Sequence, residues 1–175
     1  IGLGRMGSGM ARNLLKRHQV SVFDVSSDAL KRFGESGARL AKSPRDAAAN
    51  AEFVITMLPD SPVGKSVVLG EAGAIFGMAK QSILIDMSTG GYDDTLALAK
   101  EVTRHGPSFI DAPVGRTPWD AEAGTLMIMA CGHSKDAERA SAIFSCMGNE
   151  IVYAGPTGSG IKLKLVNNYM TVVGS

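Results

Sequence analysis

The chain has 175 residues, 45% of them hydrophobic and 20% charged, with a formal net charge of +1. That profile suits one soluble globular domain with a real core and leaves too little length for two ordinary ones. A near-neutral balance carries no nucleic-acid footprint, and no uninterrupted apolar run reaches the roughly 18 residues of a membrane span.

Two cysteines, Cys131 and Cys146, are too few for a disulfide framework or a metal-ligand cluster. Both sit in apolar stretches and are expected to be buried free thiols of a cytoplasmic protein without a metal site. The chain starts at Ile1 rather than Met and stops in what reads as a running helix, so further residues are expected at both ends.

Taken in chain order, short apolar or β-branched runs fall at 20–25 (VSVFDV), 51–58 (AEFVITML), 82–88 (SILIDMS), 108–113 (SFIDAP), 124–132 (GTLMIMACG) and 150–155 (EIVYAG). Between them lie segments with apolar residues three and four apart, such as SDALKRFGES and DDTLALAKEVTRH, which predict helices. Strands alternating with helices predict βαβ units, right-handed crossovers and a parallel sheet covered on both faces. The fold class expected is α/β, doubly wound, with a mostly parallel Rossmann-type sheet.

The first turn, IGLGRMGSGMARNLLKR, sets Gly2, Gly4 and Gly7 in a G-x-G-x-x-G spacing between a strand remnant and an amphipathic helix. The first glycine permits the tight turn, the second lets backbone approach a pyrophosphate, and the third allows close helix packing. Asp24 ends the next strand about 20 residues on, where a ribose hydroxyl needs an acceptor. A carboxylate there repels a 2′-phosphate, so NAD is expected rather than NADP. Two later strand ends, TMLPD (56–60) and DMSTG (86–90), read either as plain loops or as further cofactor contacts. In the second reading Pro59 stops the strand and Leu58 packs on an adenine or nicotinamide ring, and Ser88 and Thr89 offer hydroxyls.

The last segment, GSGIKLKLVNNYMTVV, opens with two glycines and then has helical spacing. At 100° per residue, Lys164, Asn167, Asn168 and Thr171 share one stripe about 100° wide, with apolar residues over much of the remainder. The stripe is either the solvent face or a catalytic face. In the latter a lysine donates a proton to a developing alkoxide and an asparagine fixes its position.

Together these stretches, with DAPVGRT at 111–117, resemble the β-hydroxyacid dehydrogenase family, which includes 3-hydroxyisobutyrate dehydrogenase and tartronate semialdehyde reductase. The resemblance spans the chain and implies an NAD-binding Rossmann domain over residues 1–157. Residues 158–175 then begin an interdomain helix leading to a second, helical domain that forms a homo-oligomer. It assigns catalysis to Lys164 and Asn168. It assigns cofactor contacts to Gly2, Gly4, Arg5, Met6, Gly7, Asp24, Leu58, Pro59 and Thr89.

The chain departs from the family in two places. LLKRHQV is one residue shorter than the usual approach to the second strand and lacks its glycine. Where most members read PVSGG, this chain reads PVGRT, a change similar to that of sulfolactaldehyde reductases. It implies an anionic aldehyde substrate held by Gly115, Arg116, Thr117, Asn167 and Thr171. The expected activity is reduction of 3-sulfolactaldehyde by NADH, with a semialdehyde reductase of the same family or a non-catalytic nucleotide-binding module as alternatives. An arginine fork also suits a carboxylate, a phosphate or a structural ion pair.

Overall fold

The computed structural model describes residues 1–173. The first part of the chain runs α1 (Gly7–Leu15), β1 (Ser21–Val22), α2 (Ser27–Phe33), β2 (Arg39–Leu40), α3 (Pro44–Ala48), β3 (Phe53–Thr56), α4 (Ser61–Leu69), β4 (Ile83–Asp86), α5 (Tyr92–His105) and β5 (Ser108–Asp111). The second runs β6 (Val114–Gly115), α6 (Pro118–Ala123), β7 (Leu126–Ala130), α7 (Ser134–Arg139), α8 (Ser141–Met147), β8 (Gly148–Tyr153) and α9 (Ser159–Val173).

The helices start where short polar side chains supply an acceptor. Ser26, Ser43, Asp60 and Thr117 each accept from the backbone N–H three residues on, which satisfies a donor the first turn leaves free. α5 carries Asp93 and Asp94 in its first turn and Arg104 and His105 in its last, complementing the helix dipole. Gly106, at φ +115°, then ends it.

β3, β4 and β5 pair in parallel, with Val54 opposite Leu84 and Leu84 opposite Phe109. Ile83, Leu84, Ile85 and Ile110 are fully buried because helices cover both faces, which is why these strands read as unbroken apolar runs. Burying each such side chain contributes about 1.5–3 kcal/mol. β1 and β2 form a second parallel pair. Residues at the chain start join the two: Gly2 donates to the Phe23 carbonyl, and Met57 donates to the Ile1 carbonyl. Across the sheet the order is therefore β2, β1, the Ile1 segment, β3, β4, β5. The direction of winding reverses beside the glycine turn, the place where open α/β sheets bind ligands.

Two features differ from the sequence reading. β2 is a pair of exposed residues with no apolar run to announce it. β7 runs antiparallel to β6, and Asp111 bridges Cys131 antiparallel. The connection between β6 and β7 holds only the six-residue α6, too short for a parallel crossover, which takes a dozen residues or more. β8 returns parallel to β7.

α6 is fastened to α1. A Cβ on Gly9 would come within 2.7 Å of Ala121 backbone, so only glycine lets the helices approach this closely. The buried Asn13 amide donates to Ala121 O at 2.7 Å and Glu122 O at 3.1 Å, and Arg12 pairs with Glu122. The short turn after α1 closes without the family's glycine, on Leu14 O, which accepts from Arg17 and His18 N–H.

Candidate cofactor and active site

The three glycines of the first turn have separable tasks. A Cβ on Gly2, whose φ is +92°, would lie 2.3 Å from Met57 O, and one on Gly7 would lie 2.0 Å from Gly2 O. Those two positions are closed to any side chain. Gly4 is exposed, and a Cβ there would meet nothing within 4 Å. Space is therefore left over Gly4, of the kind a pyrophosphate needs to approach backbone. Met6 precedes α1 with no side-chain cap, so the helix head keeps N–H donors and its positive dipole end for an anion. Arg5 is exposed beside it and Met6 is half-buried.

Asp24 stands just past the end of β1 and is half-buried. One carboxylate oxygen accepts from Leu3 N–H at 2.6 Å and the other from Ser26 N–H at 2.8 Å. Each oxygen retains a lone pair for a further donor such as a ribose hydroxyl. The open Gly4 face, the uncapped α1 head and the braced Asp24 fit a dinucleotide.

The loops after β3 and β4 continue this edge. Leu58 touches the space over Gly2, with its Cδ2 3.2 Å from where a Gly2 Cβ would lie. Pro59 and Thr89 are exposed. Ser88 differs from expectation: it is buried, and its hydroxyl accepts from Leu58 N–H at 3.0 Å. Asp86 Oδ1 in turn accepts from Ser88 N–H and from the Thr56 hydroxyl. Ser88 ties the two loops together and leaves Thr89 as the hydroxyl open to a ligand.

Asp111, which the sequence reading passed over, connects the strand system to α9. Its carboxylate accepts from Gly158 N–H at 2.9 Å and from Ile161 N–H at 3.1 Å. It caps from β5 a helix whose own start, Gly-Ser-Gly, has little to offer. The glycines are there for closeness: a Cβ on Gly160 would sit 2.6 Å from Met129 O and one on Gly158 2.7 Å from the Tyr92 ring. Burial pushes the Asp111 carboxyl above its ordinary range, against the pull of the Gly158 and Ile161 N–H groups.

α9 crosses β5, β6 and β7 and carries the expected stripe. Lys164 and Asn167 are half-buried, and Asn168 and Thr171 are exposed. The Thr171 hydroxyl bonds the Asn167 carbonyl one turn back. Burial lowers the Lys164 ammonium from its ordinary value, the direction a proton donor needs to work nearer neutral pH. Leu165, Val166, Tyr169, Met170 and Val173 are all exposed on the same helix.

The turn expected to hold an anion is already internally paired. Gly115 is buried. Thr117 caps α6 in a reciprocal box with Asp120, its hydroxyl 2.6 Å from Asp120 Oδ2. Arg116 has φ +78°, and its guanidinium donates to the Thr125 carbonyl, to Asn149 Oδ1 at 2.7 Å and to Glu150 Oε2 at 2.6 Å. Of the four side chains expected to meet an anion, Arg116, Thr117 and Thr171 thus have partners within the chain.

Cys131 is buried, and burial raises its thiol pKa. Cys146, expected buried, is only half-buried and donates to Ala142 O. Among the described residues no three His, Cys, Asp or Glu side chains group to hold a metal, and no helix is long and apolar enough to cross a membrane.

The fold and this edge define a dinucleotide-binding domain of the Rossmann type. The family described as the NAD-binding domain of 6-phosphogluconate dehydrogenase matches residues 1–155, and the chain belongs to it. The chain is 44% identical over 173 residues to 3-sulfolactaldehyde reductase of Escherichia coli (strain K12), covering 98% of this chain and 58% of that protein. It is 39% identical over 174 residues to the mitochondrial 3-hydroxyisobutyrate dehydrogenase of Rattus norvegicus, covering 99% of this chain and 52% of that one. Of solved structures, 3-hydroxyisobutyrate dehydrogenase of Mycobacterium tuberculosis with L-serine is similar at a TM-score of 0.92 and 31% identity, over 98% of this chain and 58% of that chain. The chain therefore spans little more than half the length of these relatives.

Proposed function

We propose that this chain is the cofactor-binding part of an NADH-dependent reductase of a small anionic aldehyde, with 3-sulfolactaldehyde as substrate and 2,3-dihydroxypropane-1-sulfonate as product. The observation that carries the reading is the link between the DAPVGRT segment and the lysine helix: Asp111, ending β5, caps α9, and Gly115, Arg116 and Thr117 follow within six residues, in β6 and the turn after it. The 44% identity to 3-sulfolactaldehyde reductase supports the choice of substrate.

Bound NADH supplies the hydride. The chain's own residues do the rest. Gly2 and Gly7 shape the turn, Gly4 leaves room for the pyrophosphate, and Arg5 and Met6 flank it. Asp24 accepts from the ribose, and Leu58, Pro59 and Thr89 line the path to the reacting end. Lys164 gives a proton to the carbonyl oxygen as negative charge develops there, and Asn168 orients it. Arg116 holds the substrate's anionic tail, with Gly115, Thr117, Asn167 and Thr171 around it. α9 leads to a further domain and to a homo-oligomer.

A second reading, a semialdehyde reductase without sulfonate preference, is favoured by one observation: the Arg116 guanidinium is already paired with Glu150. NADH oxidation by the full-length protein carrying these residues separates them, using 3-sulfolactaldehyde and succinic semialdehyde with and without Arg116→Gly. A higher kcat/KM for the sulfonate that collapses in the variant supports the first reading. Equal rates, or an unaffected variant, establish the second and make Arg116 structural.

A further inference from the structure

The hold on Arg116 is built by an irregularity in the sheet. β7 and β8 pair with Leu126 opposite Gly148, but Met127 opposite Glu150, so Asn149 is an extra residue on β8. In a regular strand, consecutive side chains point to opposite faces. A bulge breaks that alternation and re-aims a side chain. Here it delivers both Asn149 and Glu150 to one guanidinium, at 2.7 and 2.6 Å, from a strand that carries no other part of the site.

Arg116 occupies the left-handed region, which an arginine rarely adopts. The ion pair is accessible, with side-chain exposures of 33% for Arg116 and 50% for Glu150, so water and a solute anion both reach it. Pairs this exposed are weak, whereas a bidentate contact to a sulfonate or carboxylate in a closing pocket is strong.

We infer that Glu150, with Asn149, is a latch on Arg116 that lowers the apparent affinity for the anionic substrate: it occupies the guanidinium until the anion displaces it. The inference rests on the proposed reading that Arg116 binds the substrate's anionic tail. An anionic aldehyde trades one carboxylate partner for its own oxyanion and brings Arg116 into the site. A neutral aldehyde has nothing to offer in exchange and leaves the latch closed. Glu150 thereby sets a threshold that anion affinity must exceed and keeps a positive charge from standing unpaired in the empty site.

The test is steady-state kinetics of the full-length protein with Glu150→Gln, Asn149→Ala, Arg116→Gly and the double variant of residues 116 and 150. Glu150→Gln is expected to lower KM for 3-sulfolactaldehyde by roughly two- to fivefold, the range a weak exposed pair spans. Its kcat stays within about twofold, and kcat/KM for the neutral D-glyceraldehyde is unchanged. Asn149→Ala moves KM the same way by less. In the Arg116→Gly background Glu150→Gln has no effect, because the latch acts only through the arginine. If Arg116→Gly raises KM for the anion but Glu150→Gln leaves it unchanged or raises it, the latch is wrong and the anion-clamp reading stands. If Glu150→Gln slows both aldehydes alike, the pair is a structural brace. If Arg116→Gly changes nothing, the clamp reading itself fails and the latch with it.

Discussion

The Asp111 carboxylate and the Ile161 backbone N–H, 50 positions apart in sequence, lie 3.1 Å apart in the fold. One end of β5 is thereby joined to the first turn of the helix that carries Lys164. Asp111→Ala leaves the Gly158 and Ile161 donors without their acceptor in a buried place, a loss of about 2–3 kcal/mol, while Asp111→Asn costs less. Because burial raises the folded carboxyl's pKa, its stabilising contribution is fully present below the ordinary aspartate value of about 4 and is lost as pH rises through the raised one. Denaturant unfolding across pH should show the stability advantage of wild type over Asp111→Asn shrinking as pH rises from about 4 and then levelling off. An advantage that grows over that range contradicts the assignment.

Gly4 and Gly7 are predicted to fail differently. Gly7→Ala drives a methyl into the Gly2 carbonyl and should destabilise the fold by about 1–3 kcal/mol, as overpacked sites do. Gly4→Ala meets no protein atom within 4 Å and should leave stability within about 0.5 kcal/mol, yet weaken NADH binding by about tenfold if, as proposed, the pyrophosphate lies over Gly4. Thermal unfolding paired with NADH titration of both variants decides this. Equal behaviour in both assays would remove the distinction between fold glycine and ligand glycine.

Asp24 braces the turn through Leu3 and Ser26 and, in the proposed reading, accepts from the ribose. Asp24→Ser removes a charge that repels a 2′-phosphate, so the NADH over NADPH ratio of kcat/KM should fall by about tenfold, a difference of about 1.4 kcal/mol. An unchanged ratio would move cofactor choice to another residue.

What the sequence revealed and what it concealed follow the distance between partners. The glycine turn, Asp24 and the parallel strands β3 to β5 were legible because each signal is local: a fixed spacing, a strand end, an apolar run bounded by breakers. Lys164 and its asparagines were legible as one helix stripe. The antiparallel turn of β7 was not, since LMIMA is equally apolar whichever way it runs. Asp111 was missed because its partners lie 47 and 50 positions away, and Asn13 because the α6 carbonyls it holds, Ala121 O and Glu122 O, lie 108 and 109 positions away. Arg116 showed the limit most clearly. Its motif announced an anion site, but the carboxylate that occupies it stands 34 positions on, aimed there by a single extra residue in β8.

Lys164 carries the central claim, and the full-length protein tests it through NADH oxidation with Lys164→Ala across pH. Burial lowers the lysine's pKa, and the proposed donor role requires its protonated form, so on this account wild-type kcat/KM should fall with rising pH at a midpoint below the ordinary lysine value of about 10.4. Lys164→Ala should bind NADH as wild type does, lose about 10²- to 10⁴-fold in kcat/KM, and lose that alkaline limb. A variant that turns over at the wild-type rate with the limb intact would contradict the account.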